Sequence, residues 1–116
     1  MKHPDLKDVD FIIELCPELT TPSENVVPIF SKLKDKKTLE WVKREMAKGN
    51  LWAWCKIKVW ATWKDFRGID VLNCCAFLNR ENFLKSEHYP RMKEIAYLDL
   101  CHELDKTYAK LEELIF

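Results

Sequence analysis

Hydrophobic and polar positions alternate most clearly from Leu51 to Trp63, LWAWCKIKVWATW, where every odd position is apolar and the even positions carry indoles, ammonium groups and Thr62. A period of two predicts a strand with one face to the core. The opposite face would then hold Trp52, Trp54 and Trp60 beside Lys56 and Lys58. Water alone is a poor neighbour for three indoles, so that face calls for a cover: a helix of the same chain, a second copy, or a ligand.

The rest of the pattern supplies the surrounding elements. Leu6, Val9, Ile12, Ile13 and Cys16 recur at helical spacing, which predicts a short helix from Asp5 to Cys16, with Asp5 or Asp8 as its cap and Pro17 as its stop. Thr21-Pro22-Ser23-Glu24 has the capping-box pattern and Pro28 follows soon after, so a brief turn of helix is expected there and another from Pro28 to Lys34. The lysines 32, 34, 36 and 37 around that junction read as a solvated connector. Thr38 is expected to cap a helix whose stripe is Leu39, Val42 and Met46 and whose left-handed end is Gly49-Asn50. After the first strand, Lys64 to Gly68 reads as a five-residue hairpin loop, and Ile69 to Leu78 as a second strand. That loop length sets Trp63 against Ile69, Val59 against Asn73 and Cys55 against Phe77. A slip of one residue would reverse the second strand's faces, and both faces are apolar enough to allow it. Asn79 is expected to cap a short helix from Arg80 to Lys85, with Phe83 and Leu84 returning to the core. From Pro90 to Ile115 the stripe Leu98, Cys101, Leu104, Tyr108, Leu111 and Ile115, widened by Met92, Ile95 and Ala96, predicts a long amphipathic helix.

The fold class is therefore α+β: a β-hairpin or small antiparallel sheet packed against a long C-terminal helix and an upstream helix, with short N-terminal helices. At 116 residues the chain is a single domain, able to bury roughly two-thirds of its unfolded surface. Its 19 basic and 19 acidic residues cancel, which argues against a dedicated duplex binder and against an acidic mimic of DNA. No apolar run approaches the ~20 residues that span a bilayer, and the first residues lack a signal-peptide core, so a cytoplasmic protein without membrane contact is expected. The five cysteines, at 16, 55, 74, 75 and 101, are irregularly spaced and read as reduced thiols.

Little enzyme chemistry is legible. Cys101 and His102 are adjacent on a helix and face apart; His88, Cys74 and Cys75 lack the short paired spacings of a metal site; two glycines cannot build a phosphate cradle. No catalytic residue, metal or cofactor is assigned, and the expected class is a binding protein rather than an enzyme. A thiol enzyme using Cys74, Cys75 or Cys101 is the least favoured of three readings. The expected binding residues are Trp52, Trp54, Lys56, Lys58, Trp60, Lys64, Phe66 and Arg67. Indoles with lysines suit a protein hot spot and equally the stacking surface of a nucleotide or single-stranded nucleic-acid binder.

Gly49-Asn50-Leu51-Trp52-Ala53-Trp54-Cys55, followed by Gly68-Ile69-Asp70-Val71-Leu72-Asn73-Cys74-Cys75-Ala76-Phe77 and then Phe83, Tyr89 and Met92, resembles a pattern in small uncharacterised proteins of bacteriophages and other mobile elements. The shared features are a GNxWAWC strand, a second strand of the form G-x-D-x-L-x-x-C-x-aromatic, and a Tyr-x-x-Met helix entry. The resemblance covers residues 38 to 104. It departs near Asn73 and Ala76, where the pattern carries glycine and serine. It implies an accessory protein in the host cytoplasm that binds and blocks a host protein or ribonucleoprotein, in its sharpest form a defence inhibitor of the anti-CRISPR kind. The indole and lysine face itself leaves open a homodimer and a nucleotide or single-stranded nucleic-acid module acting as a signal sponge.

Overall fold

A computed structural model describes residues 3–22 and 36–115. The elements, in chain order, are β1 (Asp10–Pro17), α1 (Lys36–Ala47), β2 (Cys55–Trp63), β3 (Phe66–Cys75), α2 (Arg80–Leu84) and α3 (His88–Ile115), with single 3-10 turns at Leu6–Asp8 and Leu51–Ala53. The strands form one antiparallel sheet in the order β1-β2-β3, and the fold is α+β as the pattern predicts.

The first segment departs from expectation. Instead of a helix from Asp5 to Cys16, a 3-10 turn leads into strand β1. Phe11, Ile13 and Leu15 are half-buried while Asp10, Ile12 and Glu14 are exposed, a period of two that the helical spacing of Leu6, Val9 and Ile13 conceals. Phe-Ile-Ile suits a pleated surface, and β2 supplies the ladder that a lone helix could not replace. The brief helical turn expected to follow Thr21-Pro22 and the one expected from Pro28 to Lys34 both fall outside the described residues.

α1 begins at Lys36, so Thr38 sits within its first turn rather than capping it. Its other end follows the pattern: the Gly49 N–H donates to the Met46 carbonyl (3.0 Å), the Asn50 N–H donates to that of Glu45 (3.0 Å), and Gly49 has φ +85°. Asn50 then does something alternation could not reveal. Its Oδ1 accepts the Trp52 N–H (3.1 Å) and its carbonyl accepts the Ala53 N–H (3.2 Å), curling Leu51–Ala53 into a turn. β2 consequently starts at Cys55, and Trp52 and Trp54 do not share a strand face with Trp60.

The hairpin is also tighter than expected. Lys64 (φ +53°) and Asp65 alone connect β2 to β3, so Phe66, Arg67 and Gly68 belong to the strand. A two-residue turn sets Trp63 opposite Phe66 and reverses the faces of β3 relative to the five-residue reading. Gly68 is buried and Asp70 and Leu72 half-buried, whereas Arg67, Val71 and Asn73 are exposed; Asn73 is thus no buried amide, and its expected pairing with Val59 does not form. At Cys74 (φ +55°) the alternation breaks, and Cys75, Ala76 and Phe77 are all buried.

The chain divides into two compact units, through both of which the strands run. Unit 1 comprises Met1–Glu14, Val59–Asp70 and Pro90–Phe116. Within it α3 approaches β3 closely: a Cβ on Gly68 would collide with the backbone of Ala96 and Leu100, and the Ile69 N–H donates to Asp99 Oδ2 (2.9 Å). The buried residues of α3 are Met92, Ala96, Leu100, Cys101 and Leu104. Leu100 takes the place expected for Leu98, which is exposed together with Ile95, and Tyr108, Leu111 and Ile115 are exposed as well. Several sets of positions three and four apart fit this helix, and only contact with the sheet selects one.

Unit 2 comprises Leu15–Lys58 and Val71–Tyr89. Val42 of α1 packs with Trp54 and Ala76, flanked by Trp41 and Cys74. Asn79 caps α2 as predicted, accepting the Asn82 N–H at 2.9 Å, and places Phe83 in an aromatic cluster with Trp52, Phe77 and Tyr89.

Candidate functional site

In unit 1, Trp60 alternates with the buried Val59 and Ala61 and stands half-buried on the other side of β2. Neighbouring strands hold it from two directions. Its Nε1–H donates to Glu14 Oε1 of β1 (2.9 Å), and the Arg67 guanidinium of β3 lies 4.9 Å from the ring centroid. Beside it the Thr62 hydroxyl donates to the Asp10 carbonyl (3.3 Å). At the hairpin end the Lys64 ammonium lies 4.5 Å from the Trp63 ring centroid, with Phe66 half-buried. Cation–π contacts at exposed sites contribute roughly 0.5–1 kcal/mol, enough to bias an indole's rotamer. A flat apolar ring, a guanidinium and a carboxylate are thereby presented in fixed relation.

The expected residues of unit 2 are arranged otherwise. Trp54 is buried, and its Nε1–H donates to the Thr20 carbonyl (2.6 Å). Trp52 stacks on Phe83 at 5.9 Å and 29°. Both indoles are partly or wholly occupied by this unit's own packing. Lys56 and Lys58 are half-buried on β2, and Lys56 lends its charge to Glu18. A cleft of about 220 Å³ lies between Leu15–Glu18 and Met46–Leu51 of the same unit, with Trp54 in its wall.

Glu18 forms the main electrostatic feature of this unit. Its Oε2 accepts the Cys74 N–H (2.8 Å) and its Oε1 the Thr20 N–H (3.2 Å). Burial pushes the carboxyl up, but these amides, that of Leu19 and the Lys56 charge together hold it below the usual glutamate range. The stabilisation is therefore present above the unfolded-state value of roughly 4.3 and is lost as pH falls through the folded one. Glu18→Gln should remove this contribution to the acid limb of a stability-against-pH curve, measured by urea unfolding from pH 7 to 3; an unchanged acid limb would show that the contacts contribute nothing.

Burial, and then the charge of Glu18, pushes the Cys74 thiol up. The hydrogen bond with Cys55, followed by burial, pushes that of Cys75 far up. Both stay protonated at neutral pH, the reverse of an activated nucleophile. His88 lies 6.1 Å from Phe77, ring to ring, and His102 is exposed on α3. Among the described residues no group of three or more His, Cys, Asp or Glu could hold a metal ion, and no helix is long and apolar enough to cross a membrane.

Of the residues singled out from sequence, Trp60 and Arg67 come together, and Lys64 and Phe66 lie at the same end of unit 1; Trp52, Trp54, Lys56 and Lys58 belong to unit 2. Sequence reasoning missed Glu14 and Glu18. Glu14 was hidden by the helical reading of its segment; as a strand, DFIIEL puts Ile12 and Glu14 on one side, the signal that could have found it. Comparisons of the chain with protein-family models, curated proteins and solved structures return no match.

Proposed function

We propose that the protein acts by binding, docking a partner protein through Trp60 and Arg67 with Glu14 at their side, and blocking what it binds. The supporting observation is the indole of Trp60 set between a carboxylate and a guanidinium drawn from three strands. Trp and Arg dominate interface hot spots because they bury a large apolar area while keeping a polar edge, and a side chain already held in place loses less entropy on docking. The same arrangement disfavours the nucleic-acid reading: Arg67 occupies a ring face that a base would need, and Glu14 would repel phosphate. In the setting implied by the phage-type GNxWAWC resemblance, the partner is a host protein or ribonucleoprotein of the cytoplasm, and the effect is inhibition, in its sharpest form of a host defence.

A photo-reactive benzophenone side chain at position 12, on the Glu14 side of β1, tests this in producing cells. One dominant protein adduct is expected, reduced about 30-fold by Trp60→Ser, which corresponds to ~2 kcal/mol of binding. A benzophenone at position 102 should not give that adduct. Equal adducts from both positions, or an adduct indifferent to Trp60→Ser in a folded variant, would overturn the reading. Salt-sensitive quenching of tryptophan fluorescence by single-stranded oligonucleotides would replace it with the nucleic-acid one.

A further inference from the structure

The open end of the β2–β3 hairpin, within unit 2, brings two thiols together. Counting back from Trp63 opposite Phe66, Cys55, the first residue of β2, stands opposite Cys74, and Cys75 is the last residue of β3. Cys74 takes the left-handed conformation (φ +55°), and the break in alternation has the effect of a β-bulge: Cys74 is left half-buried while Cys75 turns into the core beside Cys55. Cys55 and Cys75 are 1% and 0% exposed, and the hydrogen bond between their sulfurs sets them in contact. The Cys75 thiol also donates to the Leu72 carbonyl (3.1 Å), which limits where its sulfur can swing.

The surroundings suit a bridge between these sulfurs better than they suit a thiolate. Facing positions on neighbouring antiparallel strands lie about 4.5–5.5 Å apart at Cα, inside the range of about 4.4–6.8 Å that a disulfide spans. A core penalises a buried thiolate, whereas a disulfide carries no charge. The strand ends are also in register without it. The Phe77 N–H donates to the Trp52 carbonyl (2.7 Å), and Trp54 and Ala76, the chain neighbours of Cys55 and Cys75, pack together with Val42. A bridge would fasten strands that already meet.

We infer that Cys55 and Cys75 form a reversible oxidation site, closing a disulfide across the end of the β2–β3 hairpin by exchange with a small disulfide of the glutathione class. One cysteine of the pair, as thiolate, attacks a sulfur of the small disulfide, whose S–S bond breaks and releases one small thiolate. The other cysteine, as thiolate, attacks the protein sulfur of this mixed disulfide, forming the Cys55–Cys75 bond and releasing the second small thiolate. The two protons given up by the cysteines end on the two small thiols, so the pair loses two electrons and the small disulfide gains them. In the closed fold, burial keeps both cysteines protonated and out of reach, and exchange waits on opening of the hairpin end. Strand ends open more readily than strand centres, and both cysteines sit at strand ends. Reclosing brings the sulfurs together, and the bridged chain then resists the opening that admitted the oxidant.

The test equilibrates the full wild-type chain in mixtures of oxidised and reduced glutathione, quenches with acid, alkylates the free thiols and maps the peptides by mass spectrometry. As the oxidised share rises, the chain should lose the mass of two hydrogens and yield one peptide joining Cys55 to Cys75, with Cys16, Cys74 and Cys101 alkylated; dithiothreitol should reverse the change. The oxidised chain should unfold at a higher urea midpoint than the reduced one. Cys74→Ala should leave the two-hydrogen loss in place and Cys55→Ala should abolish it, while the mapping on the wild-type chain stands whether or not either variant folds. A chain that stays reduced at every ratio, a bridge that joins Cys74 to Cys75 or recruits Cys16, a two-hydrogen loss that survives Cys55→Ala, or an oxidised form with a lower urea midpoint overturns the inference. None of these outcomes depends on the Trp60 surface or on the adduct experiment.

Discussion

Gly68→Ala is expected to destabilise the protein by about 3 kcal/mol or more, read as a lowered urea midpoint. The added methyl would meet backbone on α3, the Ala96 carbonyl and the Leu100 amide, with Leu100 Cα 2.8 Å away. A clashing side chain could rotate aside; a helix backbone can yield only by moving the whole helix. Moving α3 would also strain the bond from the Ile69 N–H to Asp99, which satisfies an amide of β3. The glycine is required for space and not for a left-handed conformation, since Gly49 is the glycine with positive φ. A variant within 1 kcal/mol of wild type would mean that β3 and α3 are farther apart than described.

The second large effect is expected at Phe83. Its ring is fully buried, edge-on to Phe77 at 5.2 Å and 75°, stacked with Trp52 at 5.9 Å and tilted against Tyr89 at 5.4 Å. Phe83→Ala removes the ring that all three share, and a cost of about 3–5 kcal/mol follows from lost transfer energy and the cavity left behind. Phe83→Leu, which refills most of the volume, should cost less than half as much. Trp52 provides a second readout, because an indole that loses its stacking neighbour gains water and its emission shifts to the red. A Phe83→Ala cost below about 1.5 kcal/mol would show that the cluster collapses into the gap.

The two predictions concern residues that differ in how well their roles could be read beforehand. Phe83 was legible: it follows an Asn cap at short range, and a large aromatic on so short a helix has few places to go but inward. Gly68 was misread. A glycine after Lys-Asp-Phe-Arg signals a turn, and nothing local shows that a helix some thirty positions later will need that space. Once Gly68 was placed in the loop, the faces of β3 reversed and Asn73 was drawn into the core. The same limit applies to Trp52 and Trp54. Alternation put them on a strand, yet a single side-chain acceptor on Asn50 turned the backbone before the strand began.

The candidate surface was half legible. Trp60 was marked by its indole on the polar face of an alternating strand, which water covers poorly, and Arg67 by its place in the expected hairpin loop. Their common partner Glu14 was not, because it comes from a strand read as a helix. Trp54 was assigned to the same surface and is instead enclosed, hydrogen-bonded to Thr20.

What the amino-acid order determined by itself is local and periodic: the α+β class, a strand ending at Trp63 though not its start at Cys55, the Gly49-Asn50 helix end, the Asn79 cap and the existence of α3. These rest on interactions within a few residues, where backbone geometry and side-chain chemistry act together. Tertiary structure decided the identity of β1, the register of the hairpin, which stripe of α3 faces inward, and which indoles remain available. Each of those is a choice among alternatives of nearly equal local energy, and it is settled by contacts between residues far apart in the chain.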